Sequence, residues 1–498
     1  MSAAVWSAEM SAASGTAAVE SLRASVLRGV VWKTATRFVF ETSKIVVGVV
    51  LARLLSPVSY GIAGMVLVIV AFEPVLAGVA VASVLVQRRE IDDDDRSTVF
   101  WTCVAIGVVA TALGVGLSWP VAAFYGQPQV QPLFAVLSSM FVISSLGSTH
   151  AHLLVREMNF RALELRAIAG ALVGGALSVS LAVAGLGPWA LIAQPVAAVA
   201  VSTALLWTFS AWRPQLRLSR RTLGEIRSFG RNVSGTLVLF QLTQNTDNVL
   251  VGRFLGARAL GSYALAYNII LVPFSRLASP LHDVLYPVFT RLQDDLDRLA
   301  RVWLRAMRAL CAVAAPVMLV LVVCAPDLVT VVFGRRWDQA VPVIQILAWV
   351  GALYVAQGLN SVLLQALGRT QLLFRYAAVS FAGALGSFVL GLRWGIVGVA
   401  ACYAGVLTVI GPAYMSLTAR AAGSTARSVA GALKGIVAAA VVAAVGAAVA
   451  RHALAALAPG PRLVGTAAAG GCLYAAALAV TGRDVIGELR AVLRSREA

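Results

Sequence analysis

The stretch "VVWKTATRFVFETSKIVVGVVLARLL", residues 30–55, is apolar enough to cross a membrane, yet charged side chains interrupt it. The charges follow one another at spacings of four, four and three residues: Lys33, Arg37, Glu41 and Lys44. At about 100° per residue, they fall within roughly 80° on one face of a helix. Ionisable groups inside a membrane are costly and normally face a bundle interior or a water-filled cavity. The stretch therefore predicts a spanning helix with one charged face toward such a cavity.

The composition of the whole chain indicates an integral membrane protein. Of its 498 residues, 59% are hydrophobic and only 12% are charged, and the mean hydropathy is +0.85. A soluble protein carries about 25% charged residues. No series of short alternating strands indicates a barrel, so the spans are expected to be helices. The five cysteines lie in apolar stretches without a CxxC pair, which predicts buried thiols and no disulfide or metal site.

The distribution of basic residues predicts the orientation. We identify fourteen apolar runs of about 20 residues, an even number that places both termini on one side. Of the 40 Lys and Arg residues, 28 then lie on the side of the termini and 8 on the opposite side. Basic residues are enriched on the cytoplasmic side, so we expect both termini in the cytoplasm. Basic residues in short loops explain the net charge of +18, so this charge does not predict nucleic-acid binding.

An internal repeat organises the chain. Shifted by 200 residues, "VGVVLARLLSPVSYG" (47–61) aligns with "DNVLVGRFLGARALG" (247–261), and the identities include Arg53 with Arg253 and Gly61 with Gly261. Two parallel halves are a known transporter architecture. We predict an all-α, polytopic fold with two parallel six-helix halves around a central cavity plus two C-terminal helices. The predicted boundaries are a disordered cytoplasmic tail at 1–22, a first half at 23–212, a basic cytoplasmic linker at 213–230, a second half at 231–419, and two extra helices with a tail at 420–498.

The first helix of the second half also has a polar face. Within "FQLTQNTDNVLVGRF" (240–254), Gln241 and Gln244 occupy the repeat positions of Glu41 and Lys44, and Asn245, Asp247 and Asn248 follow. Buried polar groups in lipid need partners. We therefore expect the two polar faces to meet across a water-filled cleft.

Candidate site residues fall into three chemical sets. The cations predict an anionic ligand, phosphate in particular, and are Lys33, Arg37, Lys44 and Arg276. The amides suit a hydroxyl-rich group such as a sugar and are Gln241, Gln244, Asn245, Asn248 and Asn360. The carboxylates, candidates for a charge pair or for a site that binds a coupling ion, are Glu41, Glu73 and Asp247.

Simpler readings stay open for some of these residues. Glu41 can pair with Arg37 or Lys44 on its own helix, and Lys33 can reach the cytoplasmic surface. Pro74 next to Glu73 predicts a break in the second span, and prolines flank Arg276 in the eighth.

Other patterns have structural explanations. The acidic run "EIDDDDRST" (90–98) is expected to cap the third span. His150 and His152 point in different directions on a helix and have no third ligand, so no metal site is predicted. The chain has no Walker, GxSxG or HExxH motif, and no long loop outside the membrane, so we do not expect an enzyme.

The N-terminal pattern "RGVVWKTATRFVFETSKIVVGVVLARLLSPVSYG" resembles bacterial polysaccharide-biosynthesis flippases of the multidrug/oligosaccharidyl-lipid/polysaccharide exporter superfamily. Further matching segments are "TDNVLVGRFLGARALGSYALAYNI" (246–269), "VVFGRRWDQAVPVIQILA" (331–348) and "LLQALGRT" (363–370). The resemblance covers about residues 27–419, and the last two spans are generic.

This resemblance implies that lipid-linked oligosaccharides, carried on undecaprenyl pyrophosphate, cross the inner membrane by alternating access for surface polysaccharide synthesis, including lipopolysaccharide and exopolysaccharide. Arg37, Lys44 and Arg276 would then face the phosphates. No cofactor is implied, although coupling to Na⁺ or H⁺ is compatible. Membrane lipids, a polysaccharide polymerase and assembly proteins are the expected partners. The alternatives are a cation-coupled drug antiporter, which should have an anionic cavity, and a polymerase, which should have a large periplasmic loop.

Overall fold

The fold is described by a computed structural model that covers residues 43–88 and 90–482. Within these ranges, side chains are described except at residues 74, 79, 80, 87, 225–240, 242–244 and 271–284. The described chain consists of helices and turns and contains no strand. The predicted all-α fold class is confirmed.

Nine segments of the described chain are long and apolar enough to span a membrane. Two of them, Arg335–Ala366 and Thr370–Ala421, contain two α-helices each. Residue 256 interrupts the longest helical segment, Arg220–Arg291, because Gly256 has a φ of 82°, which is not helical. The chain is thus a multi-pass membrane protein, and the number fourteen stays a prediction.

The helices are numbered in chain order. Residues 43–54 form α1, and the remaining helices are α2 (Pro57–Leu67), α3 (Glu73–Leu76), α4 (Val79–Ala82), α5 (Val84–Gln87), α6 (Asp93–Tyr125), α7 (Val130–Arg156), α8 (Phe160–Val183), α9 (Pro188–Phe209), α10 (Arg220–Arg291), α11 (Leu296–Leu328), α12 (Val341–Gln357), α13 (Asn360–Ala366), α14 (Thr370–Gly391), α15 (Gly395–Ala421), α16 (Ala426–Ala453) and α17 (Pro459–Thr481).

The acidic run at 90–98 begins α6, as predicted. The Asp92 carboxylate accepts a hydrogen bond of 2.6 Å from the Asp95 backbone N–H, and the Asp95 side chain forms an ion pair of 2.7 Å with Arg88. Asp95 also accepts a hydrogen bond from the Thr222 hydroxyl, at the start of α10. The Ser219 backbone N–H donates to Thr98 at 2.7 Å. The acidic run therefore caps α6 and holds the basic segment that leads into α10.

Contacts divide the chain into two compact units. The N-terminal unit contains the described residues up to 54 together with 69–123 and 128–241. Its helices α8 and α9 pack closely, because Gly170 and Gly174 of α8 lie against the backbone of α9 at Ala198 and Gln194. Small residues allow such close approach between membrane helices.

The C-terminal unit contains residues 55–68, 124–127 and 242 onward. Its core is formed around α11, where Trp303 and Met307 are fully buried. The C-terminal end of α11 carries Asp327, which is 2% exposed and binds Arg451 of α16 at 2.8 Å and Arg462 of α17 at 2.9 Å. This ion triad fixes the last two helices to α11.

A close helix crossing in the C-terminal unit explains one identity of the internal repeat. Gly61 of α2 lies against the backbone of Ala257, and Gly261 lies against the backbone of Pro57. Positions 57 and 61 therefore contact positions 257 and 261 reciprocally, at the same 200-residue offset. A Cβ at either glycine would overlap the backbone of the opposite helix.

Candidate functional site

The second span is broken after Leu67, as Glu73 and Pro74 predicted. Helix α2 ends at Leu67, a 3₁₀ turn covers Val68–Phe72, and three short helices follow. The break leaves backbone carbonyls without helical partners. Gln241 donates its side-chain amide to the carbonyl of Ala71, and Ser144 of α7 donates its hydroxyl to the Glu73 carboxylate.

A cation lies close to this break. Arg166 of α8 donates to the Ser202 hydroxyl of α9 at 3.0 Å, and its Nε is buried without a hydrogen-bond partner. The charge of Glu73 acts on this guanidinium. Glu73 and Arg166 thus belong to one polar cluster, and Arg166 lies on a helix long and apolar enough to span a membrane.

A second polar cluster lies in the C-terminal unit around Asp247. This carboxylate is 5% exposed and accepts hydrogen bonds from the Tyr263 hydroxyl at 3.1 Å and from the Asn248 backbone N–H at 2.8 Å. Tyr263 is fully buried, and its ring centroid lies 6.3 Å from that of Tyr267. Among the side chains that the structure describes, no Lys or Arg forms an ion pair with Asp247. Within the described side chains, the partners of this carboxylate are thus a hydroxyl group and a backbone N–H.

Hydroxyl groups from two further helices extend this cluster. Tyr354 of α12 and Tyr403 of α15 share a hydrogen bond, and the charge of Asp247 acts on both tyrosines. On α14, the Tyr376 hydroxyl donates to the Gln357 side chain at 3.0 Å. Carboxylate and hydroxyl oxygens arranged in this way can hold a monovalent cation or a proton.

Asn360 lies in the same unit at the start of α13. It is fully buried, and its amide nitrogen lies 3.7 Å from the Met415 sulfur, while its Oδ1 has no partner. Asn248 similarly has a buried Oδ1 without a partner. Both oxygens can accept a hydrogen bond from water or ligand.

The structure describes only some of the remaining predicted site residues. Lys33, Arg37 and Glu41 lie outside the described residues, and so do the side chains of Gln244 and Arg276. Lys44 is exposed on α1, and Asn245 is half-buried on α10. Ligand binding by any of these residues stays a prediction.

Sequence reasoning missed the tyrosines and Arg166. Tyr354 and Tyr403 lie more than 100 residues from Asp247, and each stands singly in an apolar run. The available signal was weak, since a tyrosine hydroxyl in a membrane helix needs a polar partner. For Arg166, the signal was its position seven residues beyond the N-cap of α8, which does not by itself separate the surface from the bundle interior.

Comparison with known proteins gives a consistent picture. The sequence model of a family described as "Polysaccharide biosynthesis protein" matches residues 50–342. The lipopolysaccharide biosynthesis protein WzxC of Escherichia coli is 28% identical over 72% of this chain and 73% of its own length. The succinoglycan biosynthesis transport protein ExoT of Rhizobium meliloti is 27% identical over 78% of this chain and 79% of its own length.

Solved structures support the same fold. The lipid II flippase MurJ, in an inward closed conformation, aligns over 90% of this chain and 100% of its own, with a TM-score of 0.70 and 13% identity. An inward-facing multidrug resistance MATE transporter aligns over 76% of this chain and 94% of its own, with a TM-score of 0.61 and 15% identity. At these identities the likeness concerns the fold alone.

Proposed function

The chain belongs to the polysaccharide biosynthesis protein family, and we propose that it is a flippase for lipid-linked oligosaccharides. The observation that carries this proposal is the family match, which covers more than half of the chain. Relatives whose names specify biosynthesis of lipopolysaccharide or transport in succinoglycan biosynthesis support it. The substrate would be an oligosaccharide repeat unit on undecaprenyl pyrophosphate. The protein would move it from the cytoplasmic to the periplasmic leaflet of the inner membrane.

The proposed orientation places both termini in the cytoplasm, on the strength of the bias in basic residues. Lys33, Arg37, Lys44 and Arg276 would bind the pyrophosphate, because guanidinium and ammonium groups suit phosphate oxygens. The amide side chains at 241, 244, 245, 248 and 360 would bind sugar hydroxyls. A polysaccharide polymerase and assembly proteins would take over the product.

Asp247 is the carboxylate best placed to bind a coupling ion. It is buried, and it accepts hydrogen bonds from the Tyr263 hydroxyl and the Asn248 backbone N–H. Glu73 is a second candidate, although Arg166 already supplies a positive charge to its cluster. We propose Na⁺ or H⁺ as the ion, since a single carboxylate neutralises one positive charge.

Lys44 provides the sharpest test, because the chain contains a matched control. Lys434 of α16 is also exposed and is the only other lysine among the described residues. In a strain that lacks the native gene, Lys44→Ala should abolish surface polysaccharide while Lys434→Ala restores it. Equal export by the two variants, at equal protein level in the membrane, would exclude Lys44 from substrate binding.

The class of function has its own test. Deletion of the gene should cause lipid-linked repeat units to accumulate facing the cytoplasm, where sealed spheroplasts protect them from an external glycosidase. A polymerase defect would instead leave them exposed to the enzyme.

A further inference from the structure

Four exposed arginines come from two segments of the C-terminal unit that both contact the start of α2. Two flank the interruption of α10 at Gly256, and two begin the 3₁₀ turn Arg335–Ala340 that leads into α12: Arg253, Arg258, Arg335 and Arg336. In the proposed orientation these segments lie at the periplasmic end. Basic residues are depleted from periplasmic loops, so a concentration of them here needs a reason other than topology.

Contacts with α2 bring the two pairs together. The Arg336 guanidinium donates to the Leu55 carbonyl at 3.3 Å, and the Trp337 ring lies 5.1 Å from the Tyr60 ring. Ala257, the neighbour of Arg258, packs against Gly61 of the same helix. Leu55 lies two residues before the start of α2, and Gly61 lies four residues after it, a helical rise of about 6 Å at 1.5 Å per residue. The arginine pairs therefore flank one short segment.

Few acidic residues of the described chain accompany these arginines. Asp327, the buried carboxylate nearby in the chain, already binds Arg451 and Arg462. Within described residues 43–67, 248–262 and 328–340, Asp338 is the one acidic residue, and it is exposed. Arg253 lies over the Phe124 ring at 5.5 Å, which orients its guanidinium without cancelling its charge.

Helix dipoles add to the positive potential. Arg258 lies in the first turn after Gly256, and Arg335 and Arg336 precede the N-terminus of α12. A helix N-terminus carries partial positive charge and is stabilised by anions, so arginine there is unfavourable unless an anion is present. Arg258 at such a position, with three more arginines on the two segments, points to a ligand that carries several negative charges.

We propose that these arginines, named here the outer arginine cluster, bind the diphosphate headgroup of the translocated lipid in the outer leaflet, before the product is released. This inference rests on the proposed function and orientation. A lipid diphosphate suits the cluster because it offers several anionic oxygens at the membrane surface, where arginine forms bidentate hydrogen bonds. The cluster would be a product site separate from the cations of α1 and α10.

The site can be tested by protection of a nearby thiol. Gln339 is exposed within the same turn, and Cys472 is the one exposed cysteine of the described chain. The full-length Gln339→Cys, Cys472→Ser protein is placed in nanodiscs and treated with a membrane-impermeant maleimide. Undecaprenyl pyrophosphate in the nanodisc should slow the labelling at least fivefold relative to the same mole fraction of phosphatidylglycerol.

Two further variants make the test specific. Arg258→Gln with Arg335→Gln should remove the protection, whereas Arg427→Gln, which removes an exposed charge at the start of α16, should leave it intact. Equal labelling rates with and without the diphosphate lipid, or protection that survives in the double variant, would overturn the proposal. Equal protection by phosphatidylglycerol or by free inorganic pyrophosphate would overturn the assignment to a lipid diphosphate.

The outcomes also separate this inference from the proposed function. If the gene deletion blocks export but the diphosphate lipid still protects the thiol at position 339 in the Arg258→Gln, Arg335→Gln variant, the proposed function stands and only the assignment of the outer arginine cluster fails. If deletion leaves export and the leaflet distribution of repeat units unchanged, the proposed function itself fails.

Discussion

The crossing of α2 with the second part of α10 gives the most quantitative prediction. A Cβ atom on Gly61 would lie 2.8 Å from the Ala257 Cα and would overlap the Ala257 carbonyl group. Carbon atoms pack best at about 3.5–4.0 Å, so Gly61→Ala requires the two helices to separate by about 1 Å or more. Ala257 presents backbone at this point, which cannot move aside as a flexible side chain would.

The expected cost is about 3 kcal/mol, at the upper end of the range for overpacked cores. Gly64→Ala is the matched control on the same helix, because its Cβ would lie 3.4 Å from a Leu260 methyl carbon, an ordinary contact. Alanine favours a helix over glycine by about 1 kcal/mol, so this control should be neutral or stabilising. The assay is the midpoint of thermal unfolding in detergent, followed by fluorescence-detected gel filtration. A Gly61→Ala protein as stable as the Gly64→Ala protein would refute the reasoning.

Three other substitutions follow from the contacts described above. Asp327→Asn leaves the two arginines of α16 and α17 without their anion and should lower the free energy of unfolding by about 2 kcal/mol, less than for a fully buried pair because both arginines are partly exposed. Asp338→Asn, at an exposed position, should change the free energy of unfolding little. Similar unfolding midpoints for the two variants would count against a stabilising role of the triad. Asp95→Ala removes the partner of Arg88 and Thr222, so trypsin should cut the basic segment between α9 and α10 faster than in the wild type; an unchanged cleavage rate would show that other contacts hold this segment. Asp247→Asn keeps the shape of the side chain but removes its charge, so transport should lose its dependence on Na⁺ or pH while the protein remains folded. If transport by the variant still depends on Na⁺ or pH, this carboxylate is not the coupling site.

Much of the fold follows from the sequence because few kinds of backbone structure can span a membrane. Apolar runs of this length can satisfy their backbone groups in lipid only as helices or a closed barrel. The break after Leu67 was also predictable, since a proline removes a helical hydrogen bond. The repeat aligns Gly61 with Gly261, but the alignment does not explain why both positions are glycine. The structure shows that Gly61 packs against the backbone of Ala257 and Gly261 against the backbone of Pro57.

The polar clusters were less predictable for a physical reason. Asp247 stood out because a carboxylate in an apolar run is costly. Its partners Tyr354 and Tyr403 come from helices distant in sequence, and no spacing rule connects them. The same applies to Asp327, whose two arginines lie more than 120 residues farther along the chain.

Transfer of the substrate between leaflets tests the central claim most directly. The purified full-length protein is reconstituted into liposomes that contain an undecaprenyl-pyrophosphate-linked oligosaccharide, and a glycosidase added outside reports how much substrate becomes accessible with time. The account predicts that wild-type protein makes nearly all of the substrate accessible, and that Lys44→Ala slows this process to the rate of protein-free liposomes. The result that would contradict the account is that, with wild-type protein, the glycosidase cleaves only the substrate that starts in the outer leaflet. The test applies with an imposed Na⁺ or proton gradient of either direction.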